Sequence, residues 1–406
     1  MRDPRGHHVL RPDDLAPANI RVWLNGSDTP KEARDYLKKT FEAQNPGSTL
    51  TIEEQQWTGL VEKLTTALSS ESQTPDVVEV GNTQAPTFTT VGAFSDVTAE
   101  TATWGGSDLL KGFVDAGSVD GKTYAVPYYA GSKYVFYRKD MFEKAGVKVP
   151  TTMTEFVNTA VALKKANAAT PNFSGFWLPG KDWRNAVTFI WAKGGDLAVN
   201  EGGTWKGALS SPKSQEGLKV VQTLFKDASG AAKDGAETDP QVPFCHDEVA
   251  MLSAPGWVKG LIGDAAKGCP DKLAQVGVFA MPGDDGKPAP VLLGGSNIAI
   301  SAKSKNQVLA KKAVTLMLSK EYQTILAKNG LTPALNSLSS QLGTDEFAAA
   351  TIAAASNAKL TPAAAGWASV EGAKILEDFT TGIATGGDLA TLATATDAKL
   401  TEQLKK

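Results

Sequence analysis

Gly121 to Phe156 reads GKTYAVPYYAGSKYVFYRKDMFEKAGVKVPTTMTEF, and this stretch decides the fold. Three words stand in it in order: Tyr124-Ala125-Val126-Pro127, Tyr137-Arg138-Lys139-Asp140 and Phe142-Glu143-Lys144-Ala145-Gly146-Val147. A helix is predicted next, over Thr154 to Ala166, with Phe156, Val157, Val161 and Leu163 as its core face.

Upstream, strands and helices alternate. Ile20 to Leu24 reads as a strand. A helix follows, capped by Asp28 or Thr29, with Pro30 in its first turn. Ala33, Tyr36, Leu37 and Phe41 recur at helical spacing, and Asn45-Pro46-Gly47 stops the run. Thr49 to Glu53 is a second strand, Gly59 to Ser69 a second helix, and Val77 to Val80 a third strand. This β-α-β-α-β order implies a parallel sheet with right-handed crossovers. Ligands of such sheets sit beyond the carboxyl ends of the strands. That edge carries Asn25-Gly26-Ser27, Gln55-Gln56-Trp57 and Gly81-Asn82-Thr83, rich in amides, hydroxyls and backbone donors.

Downstream, helices are predicted over Ala186 to Lys193 and Ser214 to Lys226. The Gly, Pro and Asp residues of 283–290 mark a turn region. The apolar run Val291 to Ser301 leads to a helix over Asn306 to Leu318, and the C-terminal part is Ala/Thr-rich and helical.

At 406 residues the chain exceeds one ordinary core, so two lobes are expected. A formal net charge of −3 argues against a nucleic-acid partner. No run of about 18 apolar residues spans a membrane. Residues 1–19 read as a disordered tail or cloning remnant, with the export signal already removed; His7 and His8 in it are given no role. Cys245 and Cys269 are compatible with one disulfide or with two unrelated buried thiols.

The chemistry of catalysis is sparse. Outside the tail the only histidine is His246, flanked by Cys245 and Asp247, and sequence adjacency is not the spatial pairing that a cysteine hydrolase uses. No spacing suits zinc and no glycine-rich loop suits phosphate, so no metal and no cofactor are expected. Nine tryptophans are the stronger signal. A sugar ring packs its C–H face on an aromatic plane while its hydroxyls seek amides and charges. Trp23 and Trp191 read as core; Trp57, Trp177, Trp183, Trp257 and Trp367 are candidate platforms.

The Gly121–Phe156 stretch resembles the first interlobe crossing of the extracellular solute-binding proteins that feed sugar ABC importers, the maltose-binding-protein-like family. There a "dG+.YavP" segment leads through a strand to "YnkdlFekaGv..pP.Tw.Ef"; here Thr152 and Met153 replace part of that wording. LLGGSNIAIS and the helix after it resemble the family's return segment. The resemblance implies a two-lobe α/β periplasmic-binding-protein fold of class II with the ligand cleft between the lobes. One lobe would be 20–127 with 291–332, the other 132–282 with 334–406, with hinges near 127–132, 283–291 and 332–334. It favours a Cys245–Cys269 disulfide.

It also implies capture without chemistry, rather than an enzyme. A di- or short oligosaccharide of the xylo-, cello- or chito- type would bind, the lobes would close, and a monomeric binder would dock on a membrane permease. The place of work would be extracytoplasmic, in a periplasm or lipid-anchored at the outer face of the membrane. A carbohydrate-active enzyme, or a binder of small polar non-sugar ligands, is the alternative. The expected sugar-binding residues are Asn25, Gln56, Trp57, Asn82, Thr83, Tyr128, Tyr129, Trp177, Trp183, Trp257, Ser296, Asn297 and Trp367. Of Tyr128 and Tyr129, one would face the ligand and the other would pack. Where close relatives read Ala-Gly-Asp-Arg, this chain reads Ala130-Gly131-Ser132-Lys133 and lacks the carboxylate.

Overall fold

A computed structural model describes residues 16–362, 364 and 366–405. Most of the expected tail, 1–15 with both its histidines, lies outside the described residues. Asn19 already belongs to the fold, since it opens the first strand and pairs with Thr49.

The strands among the described residues are β1 (Asn19–Asn25), β2 (Thr49–Gln55), β3 (Val77–Gly81), β4 (Ser118–Val119), β5 (Lys122–Thr123), β6 (Ala125–Ser132), β7 (Tyr134–Arg138), β8 (Ala198–Glu201), β9 (Thr204–Gly207), β10 (Met251–Ala254), β11 (Val276–Phe279), β12 (Leu293–Ile300) and β13 (Thr332–Pro333). Six build one sheet in the order β13-β6-β12-β3-β1-β2, and three build another in the order β10-β7-β11. β4–β5 and β8–β9 are small hairpins.

In the larger sheet β1 runs parallel to β2 and β3, with Val22 opposite Val77 and Asn25 opposite Gln55. β12 and β6 return antiparallel, so the sheet is mixed, as it must be when the chain leaves and re-enters it. Its two faces carry separate cores. Ala33, Leu37 and Phe41 of the helix Lys31–Gln44 pack on one with Val22 and Ile298, and Leu60 and Leu64 of Leu60–Ser69 pack on the other with Trp23 and Val78. A side chain such as Leu37, fully buried, contributes about 2 kcal/mol by leaving water.

The smaller sheet lies in a third core, built with Phe156, Phe176, Phe189 and the C-terminal helices through Leu400. Lobes with separate cores are what the chain length demanded.

Several sequence-based expectations shift. The hinge expected near 127–132 falls on a strand: β6 stays in the larger sheet to Ser132, paired with Leu293, and the chain changes sheet at Lys133. Pairing with β12 on one side, and with β13 at Tyr129 and Ala130 on the other, explains the continuity. The helix Lys31–Gln44 has Pro30 as its N-cap and no side-chain cap. Asp28 and Thr29 do not cap it because their oxygens bond to Trp57 and Tyr128 instead. The helix over 154–166 begins at Met153, where the Thr152 side chain accepts from the Glu155 N–H. Cys245 and Cys269 are joined as a disulfide.

Candidate functional site

The carboxyl ends of β1, β2 and β3 bring Gly26, Trp57 and Gly81 together. Gly26 turns the chain at φ +52°, and a Cβ there would lie 3.4 Å from the Trp57 ring. One at Gly81 would lie 3.6 Å from the same ring. Two glycines thus leave a seat for the half-buried indole. Its Nε1–H donates to Asp28 Oδ2 at 2.9 Å.

Beneath this seat lies a buried polar group of residues. Glu79, alone among valines in β3, is fully buried. Its Oε2 accepts from the Asn25 backbone N–H at 2.8 Å and its Oε1 from the Tyr129 hydroxyl at 2.8 Å. Tyr129 Oη also lies 3.4 Å from Asp28 Oδ2 and accepts from Ser296 Oγ at 3.3 Å. Burial pushes the Glu79 carboxyl up to about 7; bonds from Ser296, Asn25 and Tyr129 oppose the rise, and the Asp28 charge adds to it. Burial raises Asp28 as well, against bonds from Trp57 and Tyr129.

A second wall comes from the second lobe. Trp183 opens the helix Trp183–Ala192, which the Asp182 carboxylate caps by accepting from Asn185. Trp183 meets Trp367 edge-to-face at 6.1 Å, and the Arg184 guanidinium lies 4.7 Å from the Trp183 ring centre, a cation–π distance. Trp367 Nε1–H donates to Glu371 Oε1 at 3.0 Å, and Thr83 of the first lobe donates to Glu371 Oε2, also at 3.0 Å. The two walls therefore touch here.

Lys133, at the point where the chain changes sheet, pairs with Glu237 and lies 3.8 Å from Asp182; Arg184 pairs with Glu237 at 3.3 Å. Burial alone would raise the Glu237 carboxyl, but Lys133 and Arg184 outweigh it and pull it down to about 2. Burial keeps Asp182 high despite Lys133.

The predicted residues divide. Trp57 and Thr83 are half-buried and Gln56 is exposed at the sheet edge. Asn82 is buried, its N–H donating to Gly295 O. Asn25 is sealed, its amide bonded to the Glu79 carbonyl. Tyr128 is a core residue, its hydroxyl shared between Thr29 and Tyr322. Tyr129 is also buried, but reaches the seat through Asp28. Ser296 and Asn297 lie inside the sheet beside a register shift, and Asn297 bonds to the Phe113 carbonyl. Trp177 is built into the second lobe through a bridge to Leu252. Trp183 and Trp367 are nearly sealed, with the Trp183 indole directed to the Glu377 carboxyl. Trp257 is the turn residue that caps the short helix Val258–Ile262, half-buried, edge-on to Tyr129 at 6.4 Å.

Asp28, Glu79, Arg184, Glu237 and Glu371 were missed. For Glu79 a signal existed, a lone charge within Val-Val-Glu-Val. For the others, sequence neighbours say nothing about partners that lie across the molecule.

A cavity of about 320 Å³ lies apart from these walls, lined by residues that include Tyr134, Gly256, Lys259, Lys328, Asp345 and Phe347. It is lined by no tryptophan, whereas the residues around Trp57 and around Trp183 combine aromatic rings, acids and bases. Among the described residues no group of three or more His, Cys, Asp or Glu is placed to hold a metal, and no helix is long and apolar enough to cross a membrane.

Comparison with known proteins follows the same lines. A family model for bacterial extracellular solute-binding proteins matches residues 25–324. The diacetylchitobiose binding protein DasA of Streptomyces coelicolor is 34% identical over 364 residues, covering 88% of this chain and 83% of its own. The multiple sugar-binding protein of Streptococcus mutans is 28% identical over 314 residues, covering 73% and 71%. Among solved structures, the GacH receptor of Streptomyces glaucescens matches with a TM-score of 0.83 at 21% identity, over 97% of this chain and 100% of its own. Maltose-bound MalE3 of T. maritima matches with a TM-score of 0.80 at 20% identity, over 95% and 100%. Both structures share the two-lobe fold.

Proposed function

The chain belongs to the bacterial extracellular solute-binding proteins, and from that premise we propose that it captures a short chito-oligosaccharide between its lobes and hands it, unaltered, to an ABC-transporter permease. The observation that carries the sugar class is the half-buried Trp57 indole held at the sheet edge by Asp28, next to the Thr83–Glu371 bond that joins the two lobes. The Trp57 ring supplies a flat platform; Asp28, Glu371, Arg184 and Glu237 supply partners for hydroxyl and amide groups. Among xylo-, cello- and chito-oligosaccharides, the 34% identity to a diacetylchitobiose binding protein favours the last.

The mechanism is closure. Sugar bound to the first wall gains the second wall only when the lobes meet, so it favours the closed arrangement by its differential affinity. The hinge of this closure would lie near Lys133, at 283–291 and at 332–334. The protein acts as a monomer outside the cytoplasm, in a periplasm or on a lipid anchor.

Isothermal calorimetry with diacetylchitobiose, xylobiose and cellobiose tests the reading. One diacetylchitobiose per chain should bind and be recovered intact by chromatography. Binding of none of the three would overturn the sugar class, and cleavage beyond stoichiometry would overturn capture without chemistry.

A further inference from the structure

Two carboxyl groups, Glu79 and Asp28, face one phenol, Tyr129, and among the described residues no cation is bonded to either. Tyr129 has a single proton. It lies 2.8 Å from Glu79 Oε1 and 3.4 Å from Asp28 Oδ2, and can serve only one at a time. The oxygen of Asp28 that Tyr129 reaches is also the one that holds the Trp57 indole. Arg34, the nearest base to Asp28, is already committed to Glu54 and to the carbonyls of Gly26 and Thr29. The other groups facing Glu79 are neutral: Asn25 from β1, Tyr128 from β6, Ser296 from β12 and Tyr322 from the helix Lys320–Lys328.

We propose that Glu79 is a positioning residue of the sugar site, whose proton decides, through Tyr129, whether Asp28 holds Trp57 in its seat. This rests on Trp57 being a sugar platform. With Glu79 protonated, its hydroxyl donates to Tyr129, Tyr129 donates to Asp28, and Asp28 holds the indole; every group in the line is satisfied. When Glu79 loses its proton to solvent, Tyr129 turns to the new charge. Asp28 then loses a donor and faces a like charge across the ring. Glu79 is fixed in a central strand, so Asp28, on the turn before the first helix, is the group that moves, and Trp57 moves with it. The Glu79 carboxyl, pushed up to about 7, places this change in the neutral range.

The test reads the seat first without sugar. In the ligand-free protein the Trp57 indole N–H resonance is followed from about pH 5.5 to about pH 8.5, assigned by its loss in Trp57→Phe. It should titrate in the parent protein and stay flat in Glu79→Gln, whose amide keeps a donor towards Tyr129 at every pH. Tyr129→Phe, which cuts the bridge, should also stay flat, and carries the test should Glu79→Gln fail to fold. Diacetylchitobiose affinity in the parent should fall about threefold to tenfold across the same range, the size of one lost hydrogen bond. A resonance that does not titrate in the parent, or that titrates unchanged in both variants, overturns the proposal. A resonance behaving as expected with affinity independent of pH would leave Glu79 as the group that seats Trp57, and would remove Trp57 from the sugar site.

Discussion

Thr83 and Glu371 lie 288 positions apart in the chain, yet the Thr83 hydroxyl donates to Glu371 Oε2 at 3.0 Å. Glu371 also accepts from the Trp367 indole, so one carboxylate ties the first lobe to an aromatic ring of the second. Thr83→Val keeps the shape of the side chain and removes this bond. It should shift the ligand-free protein towards a more open form, with a larger radius of gyration by small-angle scattering, and weaken sugar binding by about 1 kcal/mol. Unchanged scattering and affinity would show that the contact does not favour closure.

Trp57→Ala and Trp183→Ala should behave differently. Trp57 is half-buried on two glycines, so its loss should cost about 1–3 kcal/mol of sugar affinity, the scale of a lost aromatic stack, with a smaller loss of stability. Trp183 is 2% exposed and packed against Trp367, so its loss should cost about 3–5 kcal/mol of stability. Calorimetry and denaturant unfolding of both variants separate the roles; equal stability losses would contradict the assignment.

Gly131 is the tight point beneath Trp257. A Cβ there would lie 2.6 Å from the indole, on a strand whose backbone is fixed by β12. Gly131→Ala should therefore push Trp257 aside, with a loss of about 1–3 kcal/mol and a changed near-ultraviolet circular dichroism. Wild-type stability and spectrum in this variant would mean that the ring is loosely held.

The Glu79 carboxyl stands near 7 in the folded protein, against 4.5 for an ordinary glutamate. The native state thus keeps a proton that the unfolded chain has released, so rising pH favours unfolding. Stability contributed by this group should fall between pH 4.5 and about 7 and level off above, by an amount on the order of 3 kcal/mol. Asp182, also pushed up to about 7, acts in the same direction, so the comparison with Glu79→Gln isolates Glu79. Chemical unfolding of both proteins across this range should show the difference curve; parallel profiles would refute it.

Reduction of the Cys245–Cys269 bond, which closes a loop of 24 positions, should lower stability by roughly 3 kcal/mol. Denaturant midpoints with and without reductant measure this. Sugar affinity should persist, since neither cysteine lies on the walls described.

Legibility differed between fold and site. The β-α-β-α-β run could be read because a central strand such as Val77–Gly81 and an amphipathic helix such as Lys31–Gln44 carry their burial pattern locally. The sheet edge bearing Trp57 followed from that topology. The role of a polar residue did not follow. Tyr128 and Tyr129 are neighbours with the same side chain, but one bonds to Thr29 and Tyr322 inside the core and the other to Glu79 beneath the seat.

The sequence by itself determined the two-lobe α/β architecture, since chain length, strand–helix alternation and the words around Tyr124–Val147 all act through local patterning. Only the tertiary structure decided which carboxylates share Tyr129, which lobe Glu371 reaches, and which tryptophans are sealed. These depend on contacts across tens to hundreds of positions. A hydrogen bond between Thr83 and Glu371 leaves no periodicity in either segment, because its energy depends on where the backbone places the two groups and not on their neighbours in the chain.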